Sequence, residues 1–459
     1  MDPRTRLLLE APVGPTILRL ALPNVVVMVV QASIGLIETY FVAKLGLDAL
    51  AGMALVFPLF MLLQMVSAGA MGGGILSAVA RALGAGSRDR ANELVWYAVA
   101  ITVGFGAATT VAALLFGPKL YALMGGRDGS LAAATTYSAL VFSGAIPLWL
   151  FNSFAAIIRG TGNMLLPATV ITVGALVLVP VSPLLIFGLG PFPQLGIAGG
   201  AAAVLLYYVA GAAIFAWYLW SGRGVLKPAP VPPKFTWAPM RDILRVGLTS
   251  SIVSLSTNVS IATATGLAGL VSPAAVAGYG TGARLEYLLV PLVFGLGAPV
   301  AAMVGTSIGA GRRERALRVA WTGAAMAFGI TEAIGLAAAF FPVAWLSLFG
   351  SEPTMIGVGT SYLHIVGPAY GLFGGGLLLY FASQGAGRVG FAMLIAVLRV
   401  IIAAGGGFFA VTKFGGSTGL FVAVAAALVV YGIANAAAVA GGVWFRTPRP
   451  QAVPAAQPT

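Results

Sequence analysis

The sequence predicts an all-α polytopic membrane protein: twelve transmembrane helices in two six-helix lobes related by a parallel internal repeat. Three observations predict it. Of 459 residues, 59% are hydrophobic and only 8% charged, with a mean hydropathy of +0.99, whereas a soluble domain carries about a quarter charged residues. Apolar stretches of about 20 residues, long enough to cross the hydrocarbon core, can be drawn twelve times. Finally, the chain repeats itself. Gly84-Ala85-Gly86-Ser87-Arg88-Asp89-Arg90-Ala91 recurs as Gly309-Ala310-Gly311-Arg312-Arg313-Glu314-Arg315-Ala316. Ala49-Leu50-Ala51-Gly52 recurs as Ala275-Val276-Ala277-Gly278, and Gly160-Thr161-Gly162 as Gly385-Ala386-Gly387, so the offsets are 225, 226 and 225.

In order, the spans are 16–43, 52–83, 94–116, 131–158, 164–188 and 195–221, then 245–270, 275–308, 317–341, 355–383, 389–411 and 417–445. Six per half is even, so both halves enter the membrane from one side and the repeat axis runs along the membrane normal. The N-terminus, Met1 to Val13, shows no apolar run followed by a cleavage site, so the first span is expected to be retained. Residues 1–221 are expected to form the N-lobe and 242–445 the C-lobe. Between them, 222–241 contains Lys227-Pro228-Ala229-Pro230-Val231-Pro232-Pro233-Lys234, which cannot continue a helix and favours an extended, semi-rigid linker. Residues 446–459, rich in Pro, Ala and Gln, are expected to be disordered.

The net charge of +13 sorts by loop. With a cytoplasmic N-terminus, 19 of the 25 basic residues fall on the inner side and 4 (Lys44, Lys119, Arg127 and Lys413) on the outer, leaving Arg284 and Arg399 within spans. That asymmetry orients the chain with both termini cytoplasmic in the cell membrane, and it argues against a nucleic-acid partner. The absence of cysteine removes disulfides and thiol chemistry. One histidine and no spaced ligand cluster leave no metal site, and the short loops hold no catalytic domain. An enzyme is therefore not expected. A duplicated two-bundle chain suits a transporter that rocks around a site between its halves, better than it suits a channel.

Certain residues resemble a known family. Gln31-Ala32-Ser33-Ile34-Gly35-Leu36-Ile37-Glu38-Thr39-Tyr40-Phe41-Val42-Ala43-Lys44-Leu45-Gly46 resembles the first span of multidrug and toxic compound extrusion (MATE) transporters. So do the paired Gly-Ala-Gly loops after spans two and eight, and Arg159-Gly160-Thr161-Gly162 after span four. Gly280-Thr281-Gly282-Ala283-Arg284-Leu285-Glu286 in span eight is similar to the DinF-like branch. Over residues 15–445 the resemblance implies a central cavity and efflux of amphipathic, cationic organic compounds, driven by H⁺ or Na⁺ moving inward. No cofactor beyond that coupling ion is implied, and a monomer acting on a small organic substrate is expected. The alternative is a flippase for lipid-linked saccharide or peptidoglycan precursor, a related class with fourteen spans and a basic cavity.

Ionisable residues inside spans are costly, so a functional or paired role is the default reading for each. Glu38 lies eight residues before Gly46, roughly 12 Å below the outer surface at about 1.5 Å per residue. Desolvation penalises the anion there, so this carboxyl either binds a proton or stays ionised against a cation. Its alternative is an acid that snorkels to the outer interface. The family normally places its N-lobe coupling aspartate at this position. Pro23, in the same span, removes one backbone donor and offers a place to bend. In span five the branch's Asn and Asp are replaced by Leu178 and Ser182, and the acids of the other branch fall near Thr257 and Phe373. Neither multi-carboxylate cation cage is complete, which favours H⁺. Glu332 is the second coupling candidate. Arg284 and Glu286, two apart, do not face one another on a helix, and Arg399 is expected to pair with Glu332 or Glu286. His364 is expected to be a packing or interface residue. Gln31, Tyr40, Asn152, Asn258, Tyr279, Arg284, Glu286 and Phe373 are the candidate cavity residues, with interhelical hydrogen bonding or packing as the alternative for the amides and aromatics.

Overall fold

The structure is a computed structural model and describes residues 2–445; the tail at 446–459, including Arg446 and Arg449, lies outside the described residues. The elements in order are α1 (Pro3–Glu10), α2 (Val13–Ala43), α3 (Leu47–Gln64), α4 (Gly72–Gly84), α5 (Arg88–Leu123), α6 (Asp128–Ser143), α7 (Ala145–Gly160), α8 (Leu165–Phe187) and α9 (Ile197–Trp220). The second half continues with α10 (Trp237–Val271), α11 (Pro273–Gly309), α12 (Arg313–Phe340), α13 (Pro342–Leu346), α14 (Pro353–Val366), α15 (Tyr370–Gly385), α16 (Gly390–Ile401), α17 (Gly407–Phe414) and α18 (Thr418–Ala440). They make up to 12 spans, counting α6 and α7 as one span bent by 50°. That bend, at Gly144, falls within the span expected at 131–158. The second span is likewise α3 and α4 joined by a π-helical turn at Met65–Met71, and the eleventh is α16 and α17 joined by another at Ile402–Gly406. The tenth is broken where Pro368 interrupts α14 and α15.

Helix starts follow local chemistry. Asp2, Ser272 and Glu352 accept from backbone N–H groups at the first turns of α1, α11 and α14, each with proline at the first helical position. α8 ends at Gly188, whose φ of 68° needs glycine.

The repeated motifs all mark helix crossings. Gly52 of α3 faces Ala133 and Ala134 of α6, and Gly278 of α11 faces Val358 and Gly359 of α14. Gly160 of α7 faces the Leu76 carbonyl of α4, and Gly385 of α15 faces the Ala301 carbonyl of α11. Between the halves, Gly84 of α4 faces the Thr306 carbonyl while Gly309 of α11 faces the Arg81 carbonyl. At the last four glycines a β-carbon would come within 3 Å of the carbonyl oxygen, so only glycine permits the approach.

The crossings of Gly84, Gly309, Gly160 and Gly385 lie towards the end of the molecule that bears the loops at 85–87 and 310–312. Ser77 donates to the Gly385 carbonyl at 2.9 Å, and Arg81 pairs with Asp242 at 2.8 Å. Gln384, fully buried, donates to the Gly69 carbonyl and to Ser250. α1 lies against the same end, because Arg312 and Arg315 donate to the carbonyls of Leu8, Leu9 and Ala11.

The stretch expected to be an extended, semi-rigid linker is held against the fold. α10 begins at Trp237, inside it, and the preceding segment is strapped to α5. Asn92 accepts from the Lys227 N–H, Trp96 donates to the Ala229 carbonyl, and the Tyr97 hydroxyl accepts from the Thr236 N–H. Val225 and Leu226 are buried beneath it.

Candidate functional site

α2 carries Glu38 one turn before its end, and the side chain is buried at 6% exposure. The Ser182 hydroxyl donates to Glu38 Oε2 at 2.8 Å. Ser182 sits on α8 between Pro180 and Pro183, which lack the N–H groups that would satisfy the Leu176 and Val179 carbonyls, so the backbone is locally short of hydrogen bonds. Gly200 of α9 comes close behind, with a β-carbon there lying 3.9 Å from Oε2. The other carboxyl oxygen, Oε1, is buried and makes no hydrogen bond. Hence one hydroxyl serves a carboxyl that, if ionised, offers about four acceptor sites. Burial without snorkelling separates Glu38 from the interfacial alternative.

The other residues named from sequence on this helix diverge. Pro23 lies within the continuous α2, leaving the Arg19 carbonyl without its helical donor. Beside it Asn24, which sequence reasoning missed, is buried with Nδ2 unpartnered. Gln31 and Tyr40 are exposed, and the Lys44 ammonium lies 4.6 Å from the Tyr40 ring.

Asn152 donates to Gln64 and to Ser67 at 2.9 and 2.8 Å, and Gln64 in turn donates to the Tyr208 hydroxyl. This network bridges the second, fourth and sixth spans, the interhelical role of a membrane amide. Asn258 is exposed, donating to its own helix at Ser254 and approaching Met65 Sδ at 3.5 Å. Gln64 and Gln384 were missed although they carry the signal that singled out Asn152, an amide in an apolar helix.

In the second half, Glu332 Oε2 accepts from the Gly371 N–H at 2.7 Å, capping the start of α15 after the Pro368 break. It thus meets the partial positive charge of a helix N-terminus. Arg284 is exposed with its guanidinium 4.8 Å from the Phe349 ring, and His364 is exposed on α14. Glu286 is buried and accepts from the Tyr362 hydroxyl at 2.8 Å. Tyr279 and Phe373 are buried as well, Tyr279 against Tyr362 at 5.4 Å and Phe373 beneath Arg399 at 5.5 Å. Neither pairing expected of Arg399 forms. Its guanidinium lies over Phe373 and Tyr431, and among the described residues it has no ion pair within 4.0 Å. The reason is geometric: Glu332 is already engaged at Gly371, and a cavity separates Arg399 from Glu286. Among the described residues no three His, Asp or Glu side chains gather as a metal site.

Comparison with known proteins decides the lineage. The MatE family model matches residues 23–184 and again 247–409, once in each half of the repeat. The chain belongs to the MatE family. It is a polytopic membrane transporter, not an enzyme. This MatE chain is 26% identical over 376 residues to a protein of Shewanella oneidensis named FAD transporter, covering 82% of each. It is 26% identical over 353 residues to the probable multidrug resistance protein NorM of Thermotoga maritima, covering 76% of this chain and 75% of that one. A crystal structure of MATE in the bent conformation superposes with a TM-score of 0.88 at 23% identity, covering 96% of this chain and 98% of the other.

Proposed function

We propose that this MatE transporter is a secondary active exporter of amphipathic, cationic organic compounds, driven by protons exchanged at Glu38. The observation that carries the reading is the buried N-lobe carboxyl of Glu38, whose one hydrogen-bond partner is the Ser182 hydroxyl. A dehydrated Na⁺ needs several oxygen ligands, and only the Ser182 hydroxyl lies within hydrogen-bond distance of this acid among the described residues. A proton needs one. Protonation neutralises the group where burial penalises charge, and the unsatisfied Oε1 supplies the proton's seat. Coupling follows if proton and substrate bias one inward–outward equilibrium in opposite senses. The chain would work as a monomer in the cell membrane with both termini cytoplasmic, an orientation supported by the 19 to 4 division of basic residues.

The test is efflux of a lipophilic cationic dye from proteoliposomes, driven separately by proton and sodium gradients. Proton-driven efflux that Glu38→Gln abolishes is expected, with the variant still folded. Sodium-driven efflux, or proton-driven efflux unchanged in Glu38→Gln, overturns the reading. A second reading, export of a flavin nucleotide, is favoured by two buried guanidiniums, Arg159 and Arg399, whose Nε atoms lack partners. FAD loaded in place of the dye distinguishes the two.

A further inference from the structure

The C-lobe buries a carboxyl and a guanidinium in one pocket without joining them. Glu286 on α11 is 8% exposed and Arg399 on α16 is 5% exposed. Between them lies a cavity of about 20 Å³, lined by Ser260, Tyr279, Glu286, Arg399 and Ala403. That is the room a single water molecule needs. Arg399 Nε and Ser260 Oγ, both on the cavity, are buried without hydrogen-bond partners. Two opposite charges in a low-dielectric interior normally close into a hydrogen-bonded pair, because a buried charge left alone is costly. Here the carboxyl is instead held on one side by Tyr362, itself 3.3 Å from the Tyr370 hydroxyl, and the guanidinium is held on the other by the Phe373 and Tyr431 rings.

The geometry points to Glu286 as a second proton-exchange site, taking its proton from hydronium through the one-water cavity it shares with Arg399, Ser260 and Tyr279. The inference rests on the reading of the chain as a proton-coupled exporter. Hydronium transfers its proton to a Glu286 carboxylate oxygen and leaves as water, and the reverse transfer releases the proton to water. With the Arg399 guanidinium beside it, the pocket alternates between a neutral pair and a lone cation. Tyr279 and Tyr287 of α11, Tyr362 of α14, Tyr370 of α15 and Arg399 of α16 are the titratable groups facing Glu286, while α10 brings the Ser260 hydroxyl and α18 brings Tyr431 against Arg399. Of these Glu286 is the one carboxyl and Arg399 the one guanidinium, the rest being phenols or a hydroxyl. The π-helical turn at Ile402–Gly406 begins three residues after Arg399, and its Ala403 lines the cavity. Such turns are common at functional sites, and this one lets Arg399 advance or withdraw as the charge on Glu286 changes.

The experiment is a pH-difference infrared spectrum of the full chain in vesicles, read in the protonated-carboxyl stretch. Above about pH 6, where carboxyls of ordinary value near 4 stay ionised, wild type is expected to show two titrating carboxyls. Glu286→Gln removes about half of that amplitude and Glu38→Gln removes the remainder, while Arg399→Gln displaces the midpoint of the Glu286 component alone. Glu286→Asp, which keeps the acid, moves the band in frequency and guards against a glutamine variant that fails to insert. A carboxyl band unchanged in both Glu286→Gln and Glu286→Asp, or in Glu286→Asp alone where the glutamine variant does not insert, overturns the inference. A band unchanged in Glu38→Gln overturns the N-lobe reading separately.

Discussion

Gly84 and Gly309, 225 positions apart, each lie against a carbonyl of the other half: Gly84 against Thr306 and Gly309 against Arg81, with β-carbons at either place falling 2.0 Å from oxygen. Thr306 and Arg81 are themselves 225 apart, so the two contacts are one contact repeated by the pseudo-two-fold axis. The closed end is therefore built from backbone against backbone. Side-chain hydrogen bonds from Ser77, Arg81 and Gln384 add to it.

Gly84→Ala or Gly309→Ala therefore acts on the equilibrium between access states. Overpacking typically costs about 1–3 kcal/mol, and here the strain exists only while the seal is shut. A shift of roughly 5- to 150-fold towards opening on the Arg81 side follows from that range. Because the chain contains no cysteine, single engineered cysteines beside the seal report it directly: thiol labelling should accelerate in both variants. Equal rates in variant and wild type would show that the crossing does not gate access.

The Arg81–Asp242 pair spans the same seal, with Asp242 side-chain exposure at 42%. Solvent screening limits such a pair to about 0–1 kcal/mol. Asp242→Asn should then raise labelling at the seal by no more than about fivefold, less than either glycine variant. The exchanged pair, Arg81→Asp with Asp242→Arg, should recover part of that change. An effect of Asp242→Asn larger than that of Gly84→Ala would reverse this ranking of backbone over charge.

Ser182 separates binding of the coupling ion from its identity. Ser182→Ala removes the hydrogen bond to Glu38 Oε2, a loss of about 1 kcal/mol in net terms. Proton-driven efflux should fall by roughly fivefold yet remain proton-driven, since the acid persists. Complete loss of transport with intact folding would instead assign the hydroxyl an obligatory part in moving the proton.

Much of this was legible because lipid enforces simple rules. Hydropathy placed the twelve spans, and the offset of the glycine motifs announced the repeat, since a close crossing demands glycine at both copies. Glu38 stood out because an acid in an apolar helix is rare. What stayed hidden depends on direction rather than composition. Nothing in the periodicity told that Tyr279 and Phe373 point into the C-lobe core, or that Glu332 caps α15 across a helix break. The proline-rich segment shows the same limit: its prolines pointed to extended, non-helical chain but not to what holds it, and Trp96 and Tyr97 bind it.

Pro23 provides the remaining test, because it joins local backbone chemistry to the whole cycle. It sits inside α2, the helix that carries Glu38, and leaves the Arg19 carbonyl without a donor. Alanine restores that hydrogen bond and removes the ring's clash, changes worth up to about 3 kcal/mol where the helix is otherwise straight. The thermal midpoint of Pro23→Ala should therefore rise. If bending at this point accompanies protonation of Glu38, turnover must fall at the same time, with substrate affinity little changed. Higher Tm with undiminished turnover would place the moving joint elsewhere, at the π-helical turn of Met65–Met71 or the break at Gly144.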